Sequence, residues 1–552
     1  MINRDLLPVA LGEVPADTVF LNAELFNPFD CSWEVCDFAV SDGIVIGRGD
    51  YSGKREVDLN GARVLPGLID SHVHIESSLL TPSEYGRLVI PHGTTTVIAD
   101  PHEIANVSGS KGIEYMLAES RKTGLNIEYM VPSCVPATPL DKGGAVLGPA
   151  DLEKFKGREH ILGLGEMMNY PGVISGFDDV YAKLGIFDIV DGHCPGLTGK
   201  ELNAYIMQGI GSEHESTSLA EAREKLKAGM HIFTREGSTE KNLKALAPLV
   251  NENTVSRCSF ATDDRHADML YSSGHIDGCI RKAVEYGIKP ELAYRMATLS
   301  ASDYFRLGDR GAVSPGRRAD FCVIDDSDGF EVKKTFIKGM EFVDPGHKSP
   351  GRINYDFNIQ VPDRNGMQIK GNGTAKVISI VEGEILTKRL ELNLDGSAIP
   401  DLDKDILKAV VCDRYRGEGF GTGLVRGFKL KKGALASSVS HDSHNVVAVG
   451  VSDDDIIEAV RMLKSCRGGM AVVCEGKTAV LPLECGGIMS DMSCESVVDA
   501  LSGIKKVLAG MTTLDDPFMY LSFLALTVIP ELRITDRGLF DVGTFADVSV
   551  FD

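Results

Sequence analysis

The chain has 552 residues, 43% of them hydrophobic, with 57 Lys and Arg against 79 Asp and Glu for a formal charge of −22. That length supports a large core and about three or four domains, and the acidic balance disfavours a nucleic-acid phosphate binder. No apolar run reaches the roughly 20 residues of a membrane span, and the opening Met-Ile-Asn-Arg-Asp lacks the apolar core of a signal peptide, so a cytoplasmic chain with no membrane partner is expected.

Residues 1–65 carry short β patterns at Thr18–Leu21, Phe38–Val40, Gly43–Gly47 and Glu56–Leu59, punctuated by Gly, Asp and Asn. They are expected to form the N-terminal part of a β-sandwich. Over residues 66–308 short apolar runs alternate with amphipathic stretches. Strands are predicted to end near Asp70, Ala99, Val131, Gly165, Val190, Gly211, Phe233 and Ala261. Helix-compatible stretches lie between them at Ser83–Ile90, Lys111–Thr123, Leu152–Phe155, Asp178–Lys183, Lys200–Met207, Ser218–Ala228 and Lys241–Asn251. This alternation predicts an α/β chain built on a (β/α)8 TIM-like barrel, in which active sites sit at the C-terminal strand ends.

Residues 309–345 include a β-like segment, Arg310–Asp325, expected to complete the sandwich from the far side of the barrel. Asp344-Pro345-Gly346-His347-Lys348-Ser349-Pro350-Gly351 reads as a domain boundary. Residues 350–552 are expected to form a C-terminal α/β domain, with strands at Ala375–Val381 and Val446–Val449 and a helix at Asp453–Lys464. Asp309-Arg310-Gly311, Gly316 and Ala319-Asp320 echo Asp536-Arg537-Gly538, Gly543 and Ala546-Asp547, which is read as a structural repeat without catalytic meaning. The 12 cysteines contain no Cys-x-x-Cys pair and are expected to be reduced. Cys194, beside His193, reads as a packing residue.

Residues just past the predicted strand ends are mostly His, Asp or Glu. In order they are His72, His74 and Glu76; Asp100, His102 and Glu103; Ser133 and Cys134; Glu166; His193; His214 and Glu215; Arg235 and Glu236; and Asp263 and Asp264. His72 and His74 alternate along one strand and so project to one side. Four histidines with carboxylates suit a pair of divalent cations, and the lack of nearby thiolates argues against a structural zinc site. Glu166 is placed to bridge two metals, and Asp263 closes the set at the eighth strand. A carboxylate there can also shuttle a proton. Arg235 and Glu236 read equally as contacts to a substrate edge and as a strand-end ion pair. Asp264 reads as a residue that orients a loop or ligand. His441-Asp442-Ser443-His444 is a second polar concentration, read first as a hydrogen-bonded turn and otherwise as a cover for the barrel mouth or a site for another ion.

Pro66-Gly67-Leu68-Ile69-Asp70-Ser71-His72-Val73-His74 and Gly93-Thr94-Thr95-Thr96-Val97 resemble the amidohydrolase superfamily of metal-dependent hydrolases. Many of its binuclear members place a carboxylated lysine after the fourth strand, where this chain has Glu166 in Gly165-Glu166-Met167-Met168. That departure resembles the adenine deaminase branch. The likeness continues through Ala99–Val107, Asp191–Pro195, Ser212–Glu215, Ala261–Asp264 and Val439–Asn445. It implies hydrolysis of adenine to hypoxanthine and ammonia in purine salvage, by a metal-activated hydroxide attacking C6, with Mn2+ or Fe2+ in a binuclear site. His72, His74, Glu166, His193, His214 and Asp263 would hold the metals. Asp263 would pass a proton to the departing ammonia, Glu103 would be a second shuttle, and His102 would orient it or bind substrate. A homodimer is expected.

The other nucleobase-deaminase plan pairs His-x-Glu with Pro-Cys-x-x-Cys; His74-Ile75-Glu76 mimics its first half, but no Pro-Cys-x-x-Cys follows. Two alternatives are another amidohydrolase acting on a cyclic amide, such as a dihydroorotase or hydantoinase, and a non-enzymatic barrel scaffold. The absent lysine and the long C-terminal region count against the first, and the full ligand set against the second.

Overall fold

The computed structural model describes residues 4–138, 142–238, 240–382, 386–395, 399–527 and 529–552. A first sheet of eight strands is assembled from both sides of the barrel segment. Strand Ala16–Asn27 pairs antiparallel with Ser32–Ser41 and parallel with Arg63–Pro66. Phe321–Asp325, from beyond the barrel, then pairs antiparallel with Arg63–Pro66. Phe20, Phe38, Phe321 and Phe336 fill the core of this sheet; Phe20 and Phe38 stack at 4.9 Å and Phe321 and Phe336 at 4.5 Å. The anticipated β segment from Arg310 begins only at Phe321. Residues 311–317 run as turns and bends, with Gly311 at φ 85° and Gly316 at φ 82°, a region that side chains with a Cβ rarely adopt, and Arg318 makes a single antiparallel bridge to Ile44.

The eight expected barrel strands are all present: Leu68–Val73, Thr94–Ala99, Asn126–Val131, Ile161–Met167, Val190–Gly192, Ser212–Glu213, His231–Arg235 and Cys258–Ala261. The first five form one parallel sheet and the last three another. Single bridges join them, Val190 to Ile210 and Val73 to Asp263, so the two sheets curl into one barrel. Val97, Ile98, Phe233 and Phe260 have no exposed surface, as expected of strands covered on both faces. Asp70 latches the first strand to the eighth: it accepts from Thr262 N at 3.1 Å and from the Thr262 hydroxyl, and it faces His275 Nε2 at 3.0 Å.

Beyond the coil around residue 350, a second eight-stranded sheet runs in the order Thr387–Asp395, Asn372–Ile380, Phe420–Arg426, Ile406–Cys412, Val446–Gly450, Ala434–Ser437, Gly469–Cys474, Lys477–Pro482. Helix Asp453–Cys466 packs on it. Ser452 caps this helix by accepting from Asp455 N, three aspartates open the first turn and Lys464 lies in the last, matching the helix dipole. The two halves of the 309/536 echo each carry a strand at the Ala-Asp end, Phe321–Asp325 and Ala546–Val548, and differ at their starts. Thr535 and Gly538 flank a hairpin between Leu532–Thr535 and Gly538–Asp541, whereas residues 311–317 form turns and bends.

The C-terminal sheet is seated on the barrel's C-terminal face. Ser490 N donates to Leu79 O at 2.8 Å, Cys494 N to Glu84 at 2.9 Å, and Arg87 pairs with Glu495 at 2.8 Å. Among the described residues, no helix is long and apolar enough to cross a membrane.

Candidate metal centre

All six proposed ligands lie at the barrel mouth, and all but His193 are almost completely buried. The first strand bulges between Asp70 and Val73, and His72 and His74 bring their Nε2 atoms within 3.2 Å of each other. His74 Nδ1 is held at 2.9 Å from the Asp100 carbonyl. That fixes the tautomer and leaves Nε2 turned inward, as an outer partner does for a metal-binding imidazole.

Glu166 stands between two pairs of histidines. Its Oε1 lies 3.3 Å from His74 and 3.8 Å from His72; its Oε2 lies 2.7 Å from His193 Nδ1 and 3.2 Å from His214 Nε2. Asp100 sets this position, because the Glu166 amide donates to its Oδ2 at 3.0 Å. Gly165 is required here: a Cβ would meet that carboxylate at 2.2 Å. Asp263 closes the ring, with Oδ1 3.1 Å from His74 and 3.7 Å from His72. Its φ of 54° is unusual for a residue with a side chain. The backbone is held there by Asp263 N on His72 O at 3.0 Å and by His74 N on Asp263 O at 3.4 Å.

The donor set fits a pair of divalent cations. His72, His74 and Glu166 form one converging triplet, and Glu166, His193 and His214 another, so Glu166 belongs to both. Burial disfavours its ionised form, but His193, His214 and His74 outweigh that and hold it well below the ordinary carboxylate range. Burial likewise opposes ionisation of Asp263, and Arg235 and His74 reverse the effect. Burial and the neighbouring His214 hold His72 neutral, the state a ligand needs. His74 keeps its proton against burial because Asp263 and Glu166 grip it. A divalent cation would take that proton's place between the two carboxylates.

Arg235 is an ion-pair residue. Its Nη1 donates to Asp263 Oδ2 at 2.5 Å and also to Glu215, and Nη2 reaches Glu215 at 3.3 Å. Glu236 pairs with Lys282. Asp264 accepts from Ser77 Oγ at 2.5 Å, its carbonyl accepts from Ser238 N at 2.8 Å, and with His74 and Asp263 it forms a further converging triplet. Cys194 donates to Glu213 at 3.0 Å and is buried. Glu76 accepts from Ile104 N at 3.1 Å, and burial pushes its carboxyl up to about 7.

His102 and Glu103 open the helix His102–Ser108 after the second strand. His102 lies between the ligands and Glu103, with Nδ1 3.5 Å from Glu166 and Nε2 3.4 Å from Glu103. The remaining partners of Glu103 come from far along the chain. His441 Nδ1 contacts its Oε1, and His444 Nε2 its Oε2. Sequence reasoning marked His441 and His444 as a polar turn but had no means of joining them to Glu103, more than 300 positions away. Their signal was two histidines three apart amid Ser, Asp and Asn at a strand end.

The amidohydrolase family model matches residues 63–341, and the adenine deaminase C-terminal domain model matches residues 384–546. An adenine deaminase of Methanoculleus marisnigri is 58% identical over 94% of this chain and 100% of its own length. One from Methanoregula boonei is 55% identical over 100% of this chain and 99% of its own. Adenine deaminase 2 of Carboxydothermus hydrogenoformans is 45% identical over 99% of both.

Proposed function

The chain belongs to the adenine deaminase family of the amidohydrolases, and on that premise we propose how its barrel mouth carries out the reaction. The enzyme hydrolyses adenine to hypoxanthine and ammonia. The observation that carries the site assignment is Glu166, which joins the His72/His74 pair to the His193/His214 pair through its two oxygens. His72, His74, Glu166, His193, His214 and Asp263 are the metal ligands in this reading. Imidazole and carboxylate donors without thiolate suit Mn2+ or Fe2+. Two such cations would supply Lewis-acid activation of water and a template for its attack.

The chain's own residues supply the proton chemistry. Water adds across the N1–C6 bond of the purine, so one proton goes to N1; a second goes to the amino group as the C6–N bond breaks and ammonia leaves. Asp263, aimed by Arg235, takes a proton from the attacking water and returns it to the leaving nitrogen. Glu103 is the second proton-holding group, with His102 between it and Glu166.

The test is ammonia release from adenine, adenosine, guanine, cytosine and dihydroorotate by Mn2+- or Fe2+-loaded protein. Release from adenine alone is expected. Turnover of dihydroorotate with none of adenine would move the chain to the cyclic-amide hydrolases.

A further inference from the structure

We propose that His441, in the loop between strands Ala434–Ser437 and Val446–Gly450 of the C-terminal sheet, is a purine-binding residue whose Nε2 edge contacts a ring nitrogen of the base. The inference rests on adenine being the substrate and assigns a role that the barrel residues leave open.

Nδ1 of His441 is committed to Glu103. Its other ring nitrogen has no hydrogen-bond partner among the described residues. The ring lines a cavity bounded from the barrel by Ser77, Asp264 and His266, and from the C-terminal region by Val439 and Phe518. At about 10 Å³ this cavity has room for about one water, so a base enters only as Phe518 and its neighbours move off the mouth. The cavity adjoins a larger one of about 280 Å³, with which it shares His266, Met470 and Phe518. A planar face is already present: the His441 ring stacks on Phe523 with centroids 5.1 Å apart and planes at 18°.

The anchoring of His441 is elaborate for a mere turn. Both oxygens of Glu103 are taken by imidazoles of one loop, and Arg414, fully buried, fastens that loop by donating to His444 O at 3.2 Å and to Gly486 O at 2.5 Å. Burial opposes a charged His441, but Glu103 and Asp264 reverse this and push it up to about 10. Nε2 is then a donor at neutral pH, and the lone pairs of a purine's ring nitrogens are the matching acceptors.

His441→Asn keeps an amide nitrogen near the place of Nδ1 and deletes the outer edge; His441→Gln does the reverse. The Asn variant should retain wild-type metal content and a folded thermal transition, its midpoint lowered by loss of the charge paired with Glu103, while losing about tenfold to a hundredfold in kcat/KM for adenine, chiefly through KM. The 1-, 3- and 7-deaza analogues of adenine identify the contact: the wild type should discriminate against one of them, and the Asn variant should lose that discrimination. Wild-type kcat/KM in the Asn variant, or analogue penalties unchanged between the two proteins, would overturn the assignment. Failure of the wild type itself to deaminate adenine would instead remove the substrate reading on which it rests.

Discussion

Replacing Arg235 with Met separates an ion-pair role from a purine-reading role. The guanidinium is almost fully buried and joins two buried carboxylates, Asp263 at 2.5 Å and Glu215 at 3.3 Å. Met matches most of the volume but leaves both anions without their cation. Removing one partner of a buried pair costs about 3–5 kcal/mol. At roughly 2 °C per kcal/mol for a unit of this size, the thermal midpoint should fall by roughly 6–10 °C. Asp263 loses its aim, and an error of about 1 Å in a reacting group costs on the order of a hundredfold. The expected kinetics are therefore a kcat loss of about that size with KM for adenine nearly unchanged, measured at full metal occupancy. Arg235→Lys should recover stability in part but not the forked contact to both carboxylates. A variant with wild-type kcat and a KM raised tenfold or more would refute this reasoning and put the guanidinium on the substrate.

Glu166→Ala should lose bound metal and turnover together, by elemental analysis and ammonia release; normal metal content would end the bridging assignment. Glu103→Gln should lower turnover while sparing metal, and loss of metal would make Glu103 a ligand instead. Asp277 offers a pH test remote from the chemistry. Burial opposes its ionisation, but His92 and Arg281 outweigh that and hold its carboxyl below the ordinary range. A depressed carboxyl stabilises the fold above its unfolded value of about 3.9 and loses that contribution as pH falls through the folded value. The gap in thermal midpoint between wild type and Asp277→Asn should therefore narrow from about pH 5 to about pH 3; a constant gap would show that the charge does not contribute.

The barrel was legible because its signal is local. Each strand is a short, mostly apolar run covered on both faces, and although Thr94, Glu128, His231 and Ser259 lie buried within strands, His, Asp and Glu gather at the C-terminal ends. The proposed metal set was read from the strand ends in the same way, since His72, His74, Glu166, His193, His214 and Asp263 each stand at one. What could not be read was pairing between distant segments. Arg235 was equally a substrate contact and an ion-pair residue until Glu215 and Asp263 were found on either side of its guanidinium. The 309/536 echo shows a limit of a different kind. The shared Gly and Asp positions mark turns, but turn residues do not say whether strands follow at once, as at Gly538, or ten positions on, as at Phe321.

The second sheet's domain packs on the barrel mouth, and truncation tests whether it takes part in turnover. A chain ending at Pro350 would uncover Leu79, Leu80 and Ile104, all without exposed surface in the full chain. It would also strip Glu84 and Arg87 of their contacts to Cys494 and Glu495. Burying an aliphatic side chain of this kind is worth about 1.5–3 kcal/mol, so the three together approach a typical domain's whole stability of about 5–15 kcal/mol. Glu103 would keep His102 but lose His441 and His444. The truncated chain should thus be inactive on adenine even where it stays soluble with metal bound, and co-expression of residues 351–552 should restore turnover. A soluble 1–350 chain with wild-type kcat/KM would show that the six ligands and the barrel suffice, and that the histidines on Glu103 do no more than fasten the two sheets together.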